Sequence, residues 1–373
     1  MERYRQSRYK GLQPVRPEYI NSMSQQQPRA QYSPHIAILG AGSIGCYIGG
    51  CLRKAGARVT FIGRQRMGQQ LHENGMHLSD WRGRNSQLPS QEINFTLSID
   101  VLAEADYVLV AVKSGDTYQV ATTISRVVNP KAIIISLQNG VRNAQILRES
   151  LPQHVVLKGM VPFNVISAGN GKFHCGTEGD LIIEEHPQVE ALLGVFENAQ
   201  LPVTRSTNLT AIQWGKLLMN LNNSVNALSG IPLRDQIDDP RFRKITALSQ
   251  KEALRLLKQA GISPARVGKV SPILLPLILG LPNWIFRHIA GAMLKIDPEA
   301  RSSMYEDLQL CRNTEVDFIN GEIVALARSM NLSAPVNQAI VELVHQAQQQ
   351  KAGSPMIRAD DLFQRLTGNI ENK

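Results

Sequence analysis

Two groups of residues in this chain have types and spacings that could do chemistry. The first is Gly40-Ala41-Gly42-Ser43-Ile44-Gly45, a G-x-G-x-x-G run that follows the apolar stretch Ile36–Leu39. The three glycines have separate roles. Gly40 permits a tight turn, Gly42 lets backbone approach a pyrophosphate without a Cβ in the way, and Gly45 lets a helix lie close to a strand. The free N–H groups and positive dipole end of the helix that begins there would hold the phosphates. Roughly 20 residues beyond the glycines, where an NAD site usually carries Asp or Glu for the ribose hydroxyls, this chain has Arg64. A guanidinium pairs with a 2′-phosphate that a carboxylate would repel, so NADPH is favoured over NADH, with Arg66 near enough to share the role.

The second group lies in QWGKLLMNLNNSVNALSG. Lys216, Asn220, Asn223 and Ser224 fall at i, i+4, i+7 and i+8 and share one helix face, while Leu217, Leu221 and Val225 fall on another that can pack inward. One cation with three neutral hydrogen-bonding side chains is an unusual stripe for a surface helix, which normally mixes both signs of charge; the alternative is a solvated face that happens to be rich in asparagine. Further on, RSSMYEDLQLCRNTEVDFINGEIV reads as another helix, with Ser302 or Ser303 capping its start, an apolar stripe of Met304, Leu308, Cys311 and Phe318, and Glu315 on a different face. Ser303 and Glu315 are about 18 Å apart in a straight helix. Either they serve opposite ends of a composite ligand or the helix breaks.

Behind these residues stand the elements that must position them. The stretch from His35 to Arg64 reads as strand, turn, helix and second strand (Arg58–Ile62). Tyr107–Val112 is the next buried strand, ending at Lys113-Ser114, and Ile133–Ser136 is another, running into the turn Gln138-Asn139-Gly140. Ligands of an open parallel sheet bind at the carboxyl ends of its strands, so the glycines, Arg64, Lys113 and Asn139 could all touch one extended dinucleotide. Val155–Val161 and Asp180–Ile183 finish the sheet, Arg205–Leu209 crosses to a second domain, and the pattern is mostly helical from Ala211 onward. Val270–Phe286 is the most apolar run. Its prolines and short length argue against a membrane span, and a helical pair or loop burying its apolar side on the second domain or a partner subunit is expected. The flanking Arg287 and Lys295 keep a peripheral membrane contact open as the alternative.

A chain of 373 residues is long enough for two domains, and its net charge of +9 is less telling than it looks. Six Lys/Arg against Glu2 and Glu18 in the polar, Gln-rich first 34 residues account for +4. That stretch reads as a disordered tail. No basic helix with interleaved aromatics occurs, so no nucleic-acid partner is expected, and the excess suits small anionic ligands. Cys46, Cys51, Cys175 and Cys311 form no C-x-x-C, and the histidines form no ligand pair at helical spacing; no metal is expected, and the setting is a reduced, cytoplasmic one.

In their order along the chain, GAGSIG, the strand-end Arg64, VAVKS, QNG, WGKLLMN and SSM through TEVDFINGE resemble the ketopantoate reductase (2-dehydropantoate 2-reductase) family from about Ile36 to Ala325. The resemblance implies an α/β fold with an N-terminal Rossmann-type dinucleotide-binding domain (35–204, after the tail 1–34) and an all-helical C-terminal domain for substrate and dimerisation (205–373). It implies NADPH held by Gly40–Gly45, Arg64, Lys113, Asn139 and Glu315. It also implies Lys216 as proton donor, and Asn220 and Ser303 on a small 2-oxo acid substrate; Asn223 and Ser224, from the helix face they share with Lys216, are expected as further substrate contacts, and a homodimer is the assembly to consider. Two positions depart from the family pattern: Ser224 and Ala300 stand where well-studied members have asparagines. Ketopantoate is therefore the leading substrate, beside another 2-oxo acid or an imine, and a non-catalytic NADP(H)-binding regulator is the rival from a different class.

Overall fold

The computed structural model describes residues 33–268, 270–289 and 299–368; the expected disordered tail lies outside them. Twelve strands are described: β1 (His35–Leu39), β2 (Arg58–Ile62), β3 (Met76–Asp80), β4 (Asn85–Leu88), β5 (Asn94–Thr96), β6 (Tyr107–Val110), β7 (Ile133–Ser136), β8 (Val155–Met160), β9 (Val165–Ser167), β10 (Lys172–Cys175), β11 (Leu181–Glu184) and β12 (Val203–Ser206). Eight form one sheet in the order β12-β11-β8-β7-β6-β1-β2-β5. From β8 to β5 every neighbouring pair is parallel. A parallel sheet covered on both faces needs apolar residues at successive positions, and β1 supplies them: Ile36 and Ile38 belong to one buried cluster with Phe61, Ala37 and Leu39 to another with Val108 and Val110.

Between and beyond the strands run α1 (Ser43–Lys54), α2 (Gln65–Asn74), α3 (Thr117–Ile124), α4 (Asn143–Ser150), α5 (Glu190–Asn198), α6 (Leu209–Ser229), α7 (Leu233–Asp238), α8 (Pro240–Gln259), α9 (Leu275–Leu279), α10 (Asn283–Ile289), α11 (Ser303–Gln309), α12 (Asn320–Ser329), α13 (Pro335–Gln350) and α14 (Ala359–Thr367). The molecule is thus an α/β fold with a helical C-terminal half. The axis of that half is α6. Asn208 caps its start by accepting the Ala211 N–H, and Gly230 ends it in the left-handed region at φ 71°. Leu218, Leu221, Val225 and Leu228 are fully buried among α8, α12 and α13 side chains.

Four features differ from the sequence reading. The strand expected over Tyr107–Val112 stops at Val110, two residues early, so Lys113 leads into a 3-10 turn. Arg205 sits inside β12, parallel to β11, and the crossing to the helices comes only after Ser206. A second sheet, β4-β3-β10-β9, draws β3 and β4 from the stretch after Arg64, which reads in sequence as helix-like and rich in turns. Finally, the helix expected through residues 301–324 is broken: α11 ends at Gln309, Cys311 takes a left-handed φ of 51°, and a 3-10 turn at Val316–Phe318 precedes α12.

Candidate active site at the sheet edge

The glycine turn behaves as three separate constraints. A Cβ on Gly40 (φ +112°) would lie 2.5 Å from the Val112 nitrogen, and one on Gly45 would lie 2.2 Å from the Gly40 carbonyl oxygen. Both are close-packing glycines. A Cβ on Gly42 would meet nothing within 4 Å, so that position faces open space. Gly42 is the N-cap of α1, no side chain caps that end, and no acid occupies its first turn. An open, uncapped helix start with a bare backbone is what the phosphates of a dinucleotide fit. Arg64 flanks it at the end of β2, with its side chain 89 % exposed and Nη2 3.3 Å from Asp116 Oδ2.

Two strands along, the β7 end presents Asn139, which joins both halves of the molecule. Its Oδ1 accepts from Lys216 Nζ of α6 at 2.9 Å, and its Nδ2 donates to Glu315 Oε2 at 3.1 Å. The other Glu315 oxygen accepts from the Ser114 N–H (3.0 Å) and hydroxyl (2.8 Å). Lys216 Nζ also donates to the Val161 carbonyl at 2.5 Å. Burial pushes the Lys216 amine down from 10.5 to about 8, against the opposing pull of the Glu315 carboxylate. Beneath Asn139, Asn143 donates to its carbonyl and to Ser114 Oγ, while Gln138 ties Thr117 to the Val112 carbonyl, so the turn is held by a buried polar network.

The break in the 301–324 region is what makes this meeting feasible. Straightened, that stretch would carry Glu315 about 18 Å from Ser303. Broken, it returns Glu315 to the sheet edge while Ser303 starts α11 with its surface exposed; Ser302, not Ser303, caps the helix, accepting from the Tyr305 N–H and donating to the Asn223 carbonyl. Asn220 and Asn223 are partly exposed on α6 and their side chains have no hydrogen-bond partner among the described residues, leaving their amides for a ligand.

Two expected contacts are placed differently. Ser224 is fully buried and its hydroxyl donates to Asn320 Oδ1 of α12, so it belongs to the helical core and not to the face that Lys216 presents. Lys113, expected on the cofactor, is bonded to Asp307 Oδ1 of α11 at 2.6 Å and to the Asn313 carbonyl at 3.0 Å. Sequence reasoning does not single out Ser114 or Asp307. Ser114 adjoins Lys113 at a strand end, which is a usable signal; Asp307, as one acid on an ordinary helix, gives none.

Comparison with known proteins places this geometry in context. The family model for ketopantoate reductase PanE/ApbA matches residues 36–188, and the model for its C-terminal part matches residues 208–348. A 2-dehydropantoate 2-reductase of Halobacterium salinarum is 25% identical over 320 residues, 84% of this chain and 98% of the relative. The crystal structure of a PanE/ApbA family ketopantoate reductase from Ralstonia eutropha JMP134 superimposes with a TM-score of 0.73 at 27% identity, covering 85% of this chain and 99% of that one. A D-mandelate dehydrogenase solved with NADH and anilino(oxo)acetate shares the fold, with a TM-score of 0.68 at 19% identity over 85% of this chain and 99% of its own.

Proposed function

This chain belongs to the ketopantoate reductase PanE/ApbA family, and on that premise we propose that it reduces ketopantoate to pantoate with NADPH, using Lys216 as the proton donor. It is an oxidoreductase of that kind, taking a nicotinamide dinucleotide. The bound nicotinamide supplies the hydride to the C2 carbonyl. What this chain must supply is a proton and a positive charge for the developing alkoxide, and the Lys216 ammonium offers both. An amine with a pKa of about 8 is mostly protonated at neutral pH yet close enough to neutrality to release its proton. Asn139 and the Val161 carbonyl aim it at the edge where the glycine turn, Ser114 and Glu315 gather. On the substrate side, Asn220, Asn223 and Ser303 bind carboxylate and hydroxyl oxygens of the acid and fix the face presented to the hydride donor. Preference for NADPH rests on Arg64 at the β2 end.

The observation that carries the reading is the 2.9 Å bond from Lys216 Nζ of the helical half to Asn139 at the dinucleotide edge. Ala300, and Ser224 withdrawn into the core, leave fewer polar contacts for a hydroxylated substrate, which favours testing other branched 2-oxo acids alongside ketopantoate. The experiment is NADPH oxidation with that panel. Lys216→Ala should keep NADPH affinity within about threefold and lose about 100-fold or more in kcat. In the natural protein kcat/KM should fall as pH rises through about 8, because the protonated amine is the form that works. Near-normal turnover in the variant, or a flat profile through pH 8, would remove lysine from the mechanism.

A further inference from the structure

Ser114 has one hydroxyl proton and two acceptors within reach of it. Its Oγ lies 2.8 Å from Glu315 Oε1 and 3.0 Å from the Asn139 carbonyl oxygen. The proton can serve only one of them. Its choice decides how firmly Glu315, brought from the helical half to the sheet edge, is held. With the hydroxyl the carboxylate has three donors; without it only the Ser114 N–H at 3.0 Å and Asn139 Nδ2 at 3.1 Å remain.

The residue that decides is Asn143, at the start of α4 and 2% exposed. Its amide donates one N–H to the Asn139 carbonyl and the other to Ser114 Oγ at 3.1 Å. The first bond satisfies the competing acceptor. The second fills a lone pair of the hydroxyl oxygen and leaves its proton for the carboxylate, where a charge-assisted bond is the stronger one.

The Asn143 amide is not free to turn over. A carbonyl cannot donate, so the Asn139 carbonyl demands the NH2 group, and on the other side Asn143 Oδ1 accepts the Thr117 hydroxyl at 2.8 Å. Thr117 Oγ1 is in turn taken by Gln138 Nε2 at 2.7 Å, which also donates to the Val112 carbonyl at 3.1 Å. Gln138 Oε1 accepts from the Ser136 hydroxyl at 3.1 Å. The donors therefore run one way, from Ser136 through Gln138, Thr117, Asn143 and Ser114 to Glu315, with backbone carbonyls fixing the sense at two points.

The consequence reaches Lys216. Asn139 Nδ2 is committed to Glu315, so its Oδ1 faces the ammonium at 2.9 Å. A second N–H of Lys216 goes to the Val161 carbonyl, which leaves one proton for a substrate oxygen. Among the described residues the charge that acts on this amine is that of Glu315, which opposes the effect of burial. Asp307 of α11, bonded to Lys113, feels the same carboxylate. A hydrogen bond donated to Glu315 Oε1 anchors that oxygen and draws its charge away from the amine.

We propose that Asn143 is a positioning residue for the reduction: by committing the Ser114 proton to Glu315 it holds the carboxylate, and with it the Lys216 ammonium, where the substrate carbonyl is met. This rests on Lys216 as the proton donor. The test compares Asn143→Leu, of nearly the same size but without donors, with Ser114→Ala and Thr117→Val; Asn143→Ala serves if the leucine is not tolerated. Each is read by the titration midpoint of the Lys216 amine, followed by NMR of isotope-labelled lysine, and by the pH profiles of kcat and KM. In the Asn143 and Ser114 variants the freed carboxylate oxygen acts more strongly on the amine. The midpoint and the falling limb of kcat/KM should rise by about half a pH unit or more, with kcat down about tenfold and KM within about threefold. Asn143→Leu should add little in the Ser114→Ala background, since one acts through the other. Thr117→Val leaves both Asn143 donors on their acceptors and should lower the thermal midpoint without moving the limb. The proposal is overturned if the amine midpoint stays put in the Asn143 variant, or if all three variants shift it alike in step with lost stability. A flat activity profile in the natural protein counts instead against Lys216 as the donor, and the NMR midpoints then still decide the placement of Glu315.

Discussion

Arg64 reaches Asp116 through an exposed ion pair 3.3 Å long, and such pairs contribute at most about 1 kcal/mol. Asp116 therefore yields the guanidinium readily to a dianionic phosphate, with which a charge-assisted bond contributes about 1.5–3 kcal/mol. Arg64→Asp should raise the Kd for NADPH about 10- to 100-fold while shifting that for NADH by threefold or less, measured by calorimetric titration of both. Equal losses for the two cofactors would place recognition of the 2′-phosphate elsewhere. At this scale the sequence is informative where one residue's need is local: Gly40 and Gly45 are packed against backbone as their positions in the motif require, and Gly42 faces open space. Helical spacing alone puts Ser224 on the Lys216 face, and there it misleads. The actual partner of Ser224, Asn320, lies 96 residues away, and no periodicity within α6 reveals a hydroxyl claimed by another helix.

For the elements, the difference between the glycines becomes a stability experiment. A methyl on Gly45 collides with backbone, the Gly40 oxygen at 2.2 Å, which cannot move without disturbing the turn; a methyl on Gly42 meets nothing. Gly45→Ala should destabilise by about 1–3 kcal/mol, read as a lower denaturant midpoint. Gly42→Ala should unfold like the natural protein yet bind NADPH more weakly, because the added Cβ stands in the phosphate approach. If both variants lost stability equally, Gly42 would be structural and the cradle assignment wrong. The same contrast explains which elements are legible. The runs β2 and β7 are readable residue for residue, since strands buried on both faces are mostly apolar, as Val59, Phe61 and Ile62 of β2 and the three isoleucines of β7 are. By contrast β3 (MHLSD) and β4 (NSQL) turn polar side chains outward and bury only alternate residues such as Met76 and Leu78, too short a pattern to separate from turns. The break after α11 is hidden from a reading of helix signals because its left-handed residue is Cys311 and not a glycine. Only the distance between Ser303 and Glu315 hints at it.

Across the whole molecule, polar ties join the sheet edge to the helical half. The Nε–H of Arg142, in the turn before α4, is shared between both carboxylate oxygens of Glu322 of α12 (2.8 and 2.6 Å), whose side chain is 2% exposed. Lys113 is drawn to Asp307, whose carboxyl burial holds above the usual carboxylate range despite the lysine beside it. If Lys113 is to serve the dinucleotide, it must leave Asp307 first, so part of the binding energy is spent on breaking that tie. Removing the competing charge should therefore help the ligand: Asp307→Asn is expected to tighten NADPH binding about three- to tenfold. Lys113→Ala should weaken binding, and in its background Asp307→Asn should have no further effect, since the two residues act on one equilibrium. A double-mutant cycle of dissociation constants measures this directly. Additive effects of the two substitutions, or looser binding by Asp307→Asn alone, would mean that the Lys113–Asp307 pair only fastens the halves together and that the cofactor is gripped without it.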